Sequence, residues 1–219
     1  MTLRTLALAG PPDPRHARGR GMEQFHHPRP VCVGRGEGTR PTPERRKLMA
    51  GLSGRVLEIG AGDGVKVTCY PSGVTEIVLV EDDPFLRAAA GDAATGVAIP
   101  VRVLDGAAER LPVPDASCDG VVCSLALCRA GDAQAALAEV RRVLRPGGRL
   151  HFYEHQRSEH ATLTLAERLV TPVWSRVAGG CHPARDVLAA MTAVGFAIDG
   201  LDRFQLFHVN HVLGVARPE

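Results

Sequence analysis

The part of this 219-residue chain with the clearest chemical implication is Val56-Leu-Glu58-Ile-Gly60-Ala-Gly62-Asp-Gly64. Glycines at alternate positions after an apolar run let the main chain turn tightly and approach a ligand closely, as a cofactor cradle at a strand end requires. A dinucleotide fingerprint would place its third glycine three positions after the second, whereas Gly64 follows Gly62 by two, so NAD or FAD fits this spacing less well. Glu58 is placed to orient the loop or to meet an ammonium group of the ligand. Seventeen residues after Gly64, Glu81 closes a second apolar run, Glu76-Ile-Val-Leu-Val80. A carboxylate there can accept hydrogen bonds from both hydroxyls of a ribose. The competing reading of Glu81-Asp82-Asp83 is a solvated turn and helix cap.

The six cysteines stand at 32, 69, 118, 123, 128 and 181, and no pair has the two-residue separation of a zinc or thioredoxin-like motif. The spacing therefore predicts free thiols and no metal site. Cys123 and Cys128 flank the expected site and read as small packing residues, because nothing nearby supplies the pairing that would mark a nucleophile. His26 and His27 read as solvent-exposed.

These residues need a frame, and the apolar periodicity supplies one. Glu44 to Leu52 predicts a short helix, Arg55 to Ile59 a strand, and Glu76 to Val80 another, with Pro84 opening a helix to about Ala94. Val101 to Val103 is a third strand. Pro112 and Pro114 exclude a regular helix from the loop Asp105 to Asp115, and Cys118 to Ser124 is the fourth strand. Ala133 to Leu144 carries a helical apolar face, Arg145-Pro-Gly-Gly148 stops it, and Arg149 to Glu154 is the fifth strand. Residues 158 to 178 predict one or two helices interrupted near Pro172, and Arg185 to Val194 another. Ile198 to Phe204 and Phe207 to Arg217 predict a terminal hairpin. Five strand-helix alternations imply an α/β fold, a doubly wound, Rossmann-like, mostly parallel sheet with a C-terminal antiparallel hairpin.

With 219 residues, 45% of them hydrophobic, the chain suits one domain. Residues 1–43 hold seven prolines and no apolar periodicity, so they predict a poorly ordered arm; Met22 is a second candidate start. The domain proper runs over 44–219. A net charge of +2 gives no nucleic-acid footprint, and no run of 18 apolar residues predicts a membrane span. The expectation is a cytoplasmic protein of undetermined oligomeric state.

Four motifs make the stretch from Gly54 to Arg157 resemble class I S-adenosylmethionine (SAM)-dependent methyltransferases of the ubiquinone and menaquinone biosynthesis type. They are Leu57-Glu-Ile-Gly-Ala-Gly-Asp-Gly64, Val80-Glu81, Ala108-Glu-Arg-Leu-Pro112 and Glu139-Val-Arg-Arg-Val-Leu-Arg-Pro-Gly-Gly148. Further segments are similar to the subgroup that includes thiol S-methyltransferases: Cys69-Tyr-Pro71, Val122-Cys-Ser-Leu-Ala-Leu-Cys128, Phe152-Tyr-Glu-His155 and His211-Val-Leu-Gly214. The resemblance implies SAM as cofactor and methyl transfer to a small-molecule acceptor, a thiol among the candidates. Gly60, Ala61 and Gly62 would contact its methionine part, with Gly64 in the same loop. Glu81, with Asp82 nearby, would take the ribose. Ala107, Ala108 and Glu109 would lie beside adenine. Many relatives have an aspartate where Ala107 stands, so that contact is missing. Ser124, Leu125 and Leu127 would form the floor beneath the methyl group.

Methyl transfer is an in-line displacement, so the enzyme must align acceptor and methyl and exclude water; it needs no metal. For a thiol or hydroxyl acceptor, His155 is the candidate base, against the alternative of a histidine bonded locally at a strand end. His211 and Trp174 are candidate substrate contacts, each with an ordinary core role as the alternative. Trp174 belongs to a substrate-covering insertion near 156–184. The glycine- and proline-rich arm departs from the lid helix usual in relatives, so the alternative function is a non-catalytic SAM-binding or regulatory protein.

Overall fold

A computed structural model describes residues 43–177, 180–206 and 209–219. The expected arm, apart from Pro43, lies outside them, as do Cys32, His26 and His27. Seven strands form one sheet in the order β3-β2-β1-β4-β5-β7-β6. They are β1 (Gly54–Ile59), β2 (Val74–Val80), β3 (Val101–Leu104), β4 (Cys118–Ser124), β5 (Leu144–His155), β6 (Phe196–Leu206) and β7 (Val209–Pro218). The first five pair in parallel, and β7 runs antiparallel between β5 and β6.

The central strands are apolar on both faces because both are covered. On one face Leu57, Ile59, Val121, Cys123 and Phe152 pack with Leu137 and Val140 of α3 (Ala133–Val143) and Met191 of α5 (Val187–Ala193). On the other, Val56, Ile77, Leu79, Val122 and Tyr153 pack with Leu48 and Met49 of α1 (Pro43–Met49) and with Trp174 of α4 (Ala161–Val177). The chain moves outward from β1 to β2 and β3, then returns to pair β4 on the other side of β1. This places a topological switch point at the C-terminal ends of β1 and β4, where open α/β sheets bind ligands.

Local chemistry sets the helix starts. Asp83 accepts from the backbone N–H groups of Phe85 and Leu86 at the head of α2 (Pro84–Ala94), with Pro84 in the first turn. Asp132 caps α3 in the same way through Gln134 and Ala135.

The alternation is less regular than expected. A 3-10 turn at Val67–Cys69 connects β1 to β2, and a loop connects β3 to β4. The loop needs no helix because α3 clamps it: Glu139 accepts from Leu111 N at 2.7 Å, and Arg142 donates to Leu111 O and Val113 O. Strand β5 begins at Leu144, five residues before the expected Arg149, with a register shift against β4 that absorbs the Pro-Gly-Gly turn. Helix α4 continues through Pro172; over 17 residues it keeps enough hydrogen bonds on either side to carry the gap. Strand β6 extends beyond the expected Ile198 to Phe204 at both ends, and β7 ends one residue past the expected Arg217, the expected start at Phe207 lying outside the described residues. Among the described residues no helix is long and apolar enough to cross a membrane.

Candidate functional site

The β1 loop adopts backbone conformations that suit glycine, with φ of 64° at Gly60, 62° at Gly62 and 73° at Gly64. Gly60 N and Ala61 N both donate to Val80 O, pinning the loop to the end of β2. Gly62 N then donates to Glu81 Oε2 at 2.8 Å, and Asp83 N donates to Glu81 Oε1 at 3.1 Å. Glu81 is buried, which pushes its carboxyl above the usual range, and these two N–H groups partly offset that. Each carboxylate oxygen still has lone-pair capacity for another donor.

Gly64 serves packing rather than ligand access. A Cβ there would come within 2.9 Å of Ala90 Cα in α2. Glu58 receives the Lys66 ammonium at 2.8 Å and the Tyr70 hydroxyl at 2.7 Å, with both charged side chains almost fully buried. The ammonium it meets is therefore the protein's own, and the pair braces the loop from beneath.

A cavity of about 230 Å³ brings together Gly60, Glu81, Asp82, Ala107, Ala108 and Glu109. Arg129, Ala126 and Gly106 complete much of its wall, and none of the three was expected from the sequence. Gly106 is required there, since a Cβ would lie 2.7 Å from Pro112 Cδ. Glu109 also accepts from Asp132 N at 3.1 Å, linking the cavity wall to the start of α3.

Beyond β4 the chain turns through Leu125, whose φ is 55°. The next three backbone N–H groups converge on one carboxylate: Glu154 Oε1 accepts from Ala126 at 2.9 Å and Leu127 at 2.8 Å, and Oε2 from Cys128 at 3.0 Å. Burial raises the Glu154 carboxyl despite these donors. Arg185 fastens the far side by donating to Leu127 O and Ala130 O. Leu127 is fully buried beneath α3, so it shapes this loop from behind and presents no surface to an acceptor. Ser124 and Leu125 sit at the same corner without lining the cavity.

His155 ends β5 among groups far apart in sequence. Its Nδ1 lies 2.8 Å from Cys181 Sγ, and that sulfur lies 3.8 Å from Cys128 Sγ. Trp174 packs against the apolar cluster that contains both cysteines. Hydrogen bonding with Cys128, together with His155, holds the Cys181 thiol well below its ordinary range, while burial pushes Cys128 well above it. The His211 ring stands edge-on to His155 with centroids 4.6 Å apart and stacks on Tyr153 and Phe204. Burial, and then His155, lower the His211 pKa to about 4. A cavity of about 260 Å³ opens beside this cluster, lined by His211, Gln156, His160, Arg203, Phe204 and Asn210. A larger cleft, about 660 Å³, separates α4 from α5 and contains no residue of the glycine loop.

Of the candidates, Gly60, Glu81, Asp82 and Ala107 to Glu109 share one cavity, while His155 meets the cysteine pair with His211 against its ring and Trp174 packed on the same cluster. Glu58, Ala61, Gly62, Gly64, Ser124, Leu125 and Leu127 line neither that cavity nor the one beside His211. The pair escaped the sequence because Cys128 and Cys181 are 53 residues apart.

Residues 57–152 match a family model described as a methyltransferase domain. A rat thiol S-methyltransferase TMT1B is 33% identical over 146 residues, covering 64% of this chain and 59% of the relative. A human thiol S-methyltransferase TMT1A is 32% identical over 153 residues, covering 68% and 63% respectively. The chain therefore spans about three-fifths of the length of these curated relatives. A solved SAM-dependent methyltransferase from Mesorhizobium loti shares the fold with a TM-score of 0.62 and 19% identity, over 80% of this chain and 96% of that one.

Proposed function

We propose that the chain transfers a methyl group from SAM to a small-molecule acceptor, a thiol in particular, a reading supported by the match of residues 57–152 to a methyltransferase-domain model. The observation that carries this reading is Glu81, which lines a cavity at the switch point and accepts from Gly62 N of the glycine loop. A backbone free of side chains at Gly60 and Gly62, a buried carboxylate with lone pairs to spare and a narrow slot between them fit an adenosyl group.

Gly60, Ala61 and Gly62 would hold the methionine part, Glu81 and Asp82 the ribose, and Ala107, Ala108 and Glu109 the adenine. Bound there, SAM supplies a methyl group activated by its sulfonium. The loop from Ser124 to Cys128, clamped by Glu154 and Arg185, would fix the floor and keep water away from the reacting atoms. A thiol acceptor must lose its proton, and His155 is the residue that serves this, directly or through what it binds. His211 and Trp174 would shape the acceptor space.

The thiol is favoured by the similarity to the TMT1 thiol S-methyltransferases and by a histidine cluster beside a cavity of its own. Free thiols at all the described cysteines support the cytoplasmic location. The test is turnover of SAM with a panel of small thiols, alcohols and amines, followed as S-adenosylhomocysteine and methylated product. Thiol-selective turnover is the expected result. SAM binding with no turnover on any acceptor would instead support the non-catalytic alternative.

A further inference from the structure

We propose that Cys128, His155 and Cys181 form a binding site for a zinc-class divalent cation whose fourth coordination position takes the sulfur of the acceptor. The cation site stands on geometry alone; the acceptor's place in it rests on the methyl-transfer reading.

The three residues come from different parts of the fold: the loop after β4, the end of β5 and the segment between α4 and α5. All are buried, and one ligand atom from each lies within 4.8 Å of the others; no other such group occurs among the described residues. Metal–sulfur bonds of about 2.3 Å in a tetrahedral site put two sulfurs about 3.8 Å apart. The Cys128 and Cys181 sulfurs are 3.8 Å apart. The His155 Nδ1 contact of 2.8 Å is shorter than a bridged pair requires, so the imidazole would draw back by somewhat under about 1 Å.

Two thiolates and an imidazole suit a borderline-soft ion such as zinc. Three protein ligands is the number that catalytic zinc sites use, leaving one position open, whereas structural sites have four. The ligands are also held from outside, as metal ligands need to be. Glu154 holds the Cys128 backbone N–H, His182 N donates to Cys128 O at 2.9 Å, and Trp174 packs against the cluster that contains both cysteines.

Cys128 and Cys181 bind the ion as thiolates, whatever proton they still carry passing to solvent, while His155 binds as the neutral imidazole. A thiol entering the fourth position, by way of the cavity beside His211, loses its proton to solvent in the same manner. Its sulfur then forms the new bond to the methyl carbon as the carbon–sulfonium bond breaks and the electron pair stays on the departing thioether. His155 acts in this arrangement by holding the ion.

The experiment is titration of the full chain, reduced and stripped with chelator, with Co²⁺ alone, and then with Zn²⁺ or a small thiol such as 2-mercaptoethanol. The expected result is one Co²⁺ per chain with thiolate-to-cobalt charge-transfer absorption and four-coordinate visible bands, lost on adding Zn²⁺. The charge-transfer band should be absent in Cys181→Ser and in His155→Gln, two variants that guard against one failing to fold. Absence of the band in folded wild type, or its persistence in folded Cys181→Ser, overturns the cation site. So does a Cys128–Cys181 disulfide in the untreated protein with no metal uptake after reduction. An unchanged cobalt spectrum on adding thiol overturns the acceptor's place at the ion. Thiol methylation undiminished in metal-free protein also overturns it and leaves the methyltransferase reading standing; metal uptake without any methylation does the reverse.

Discussion

The carboxylate of Glu81 accepts the backbone N–H of Gly62 at 2.8 Å, joining the ends of β1 and β2 across 19 residues of sequence. With Asp83 N on its other oxygen, Glu81 fixes the glycine loop before any ligand arrives. The cradle is thus preorganised, and its acid is already desolvated.

Removing that acid should loosen both the loop and the cofactor. Glu81→Ala leaves two N–H groups without their acceptor, at about 1–3 kcal/mol for each that stays buried. It is predicted to weaken SAM binding by more than tenfold, as measured by calorimetry. Gly62→Val, which forces a branched side chain to a φ of 62°, should weaken binding similarly.

Glu154 offers a different kind of test because it touches the β4 loop and not the adenosyl cavity. Glu154→Gln keeps one acceptor oxygen but turns an amide N–H toward a backbone N–H. A loss of roughly 2 kcal/mol in urea unfolding is expected, with turnover falling more than SAM affinity. An equal fall in both would place the loop's influence on the cofactor instead.

Gly64→Ala separates packing from binding. The change puts a Cβ 2.9 Å from Ala90 Cα at a φ of 73°. Left-handed backbone costs a non-glycine residue about 1–2 kcal/mol before any clash, so a melting temperature lower by roughly 4–8 °C is expected. SAM affinity should change less than in Glu81→Ala.

His151 predicts an acid-side loss of stability. It is buried on β5, which lowers its pKa, and it hydrogen-bonds through Nδ1 to Leu48 O at 2.8 Å. The neutral form is favoured in the fold, so the contribution is complete above the unfolded value of about 6.5 and is lost as pH falls below it toward the depressed folded value. Urea midpoints measured from pH 7.5 to 5 should fall for wild type and fall less for His151→Gln.

The elements legible in the sequence were those set by local chemistry. Asp83-Pro84 fixes the start of α2, and the run from Arg55 to Ile59 carries Val56, Leu57 and Ile59 on both of its faces because β1 is central and covered on each side. The adenosyl cavity was legible for a related reason: Gly60, Glu81 and Ala107 to Glu109 all follow strand ends, which the parallel topology gathers at one edge. Arg129 gave no signal, since a lone basic residue in a loop resembles any solvated one. The thiol spacing also concealed the Cys128–Cys181 pair, because it takes two layers of fold to bring them together. Pro172 predicted a break that α4 does not make, the helix being long enough to carry a missing hydrogen bond.

The central claim, an adenosyl cofactor held between Gly62 and Glu81, is most directly tested by calorimetric titration of the purified full chain with SAM, S-adenosylhomocysteine and NAD. The account predicts one site per chain that takes both adenosyl ligands, ignores NAD and is weakened in Glu81→Ala. No binding of either adenosyl ligand, or equal affinity in wild type and Glu81→Ala, would contradict it.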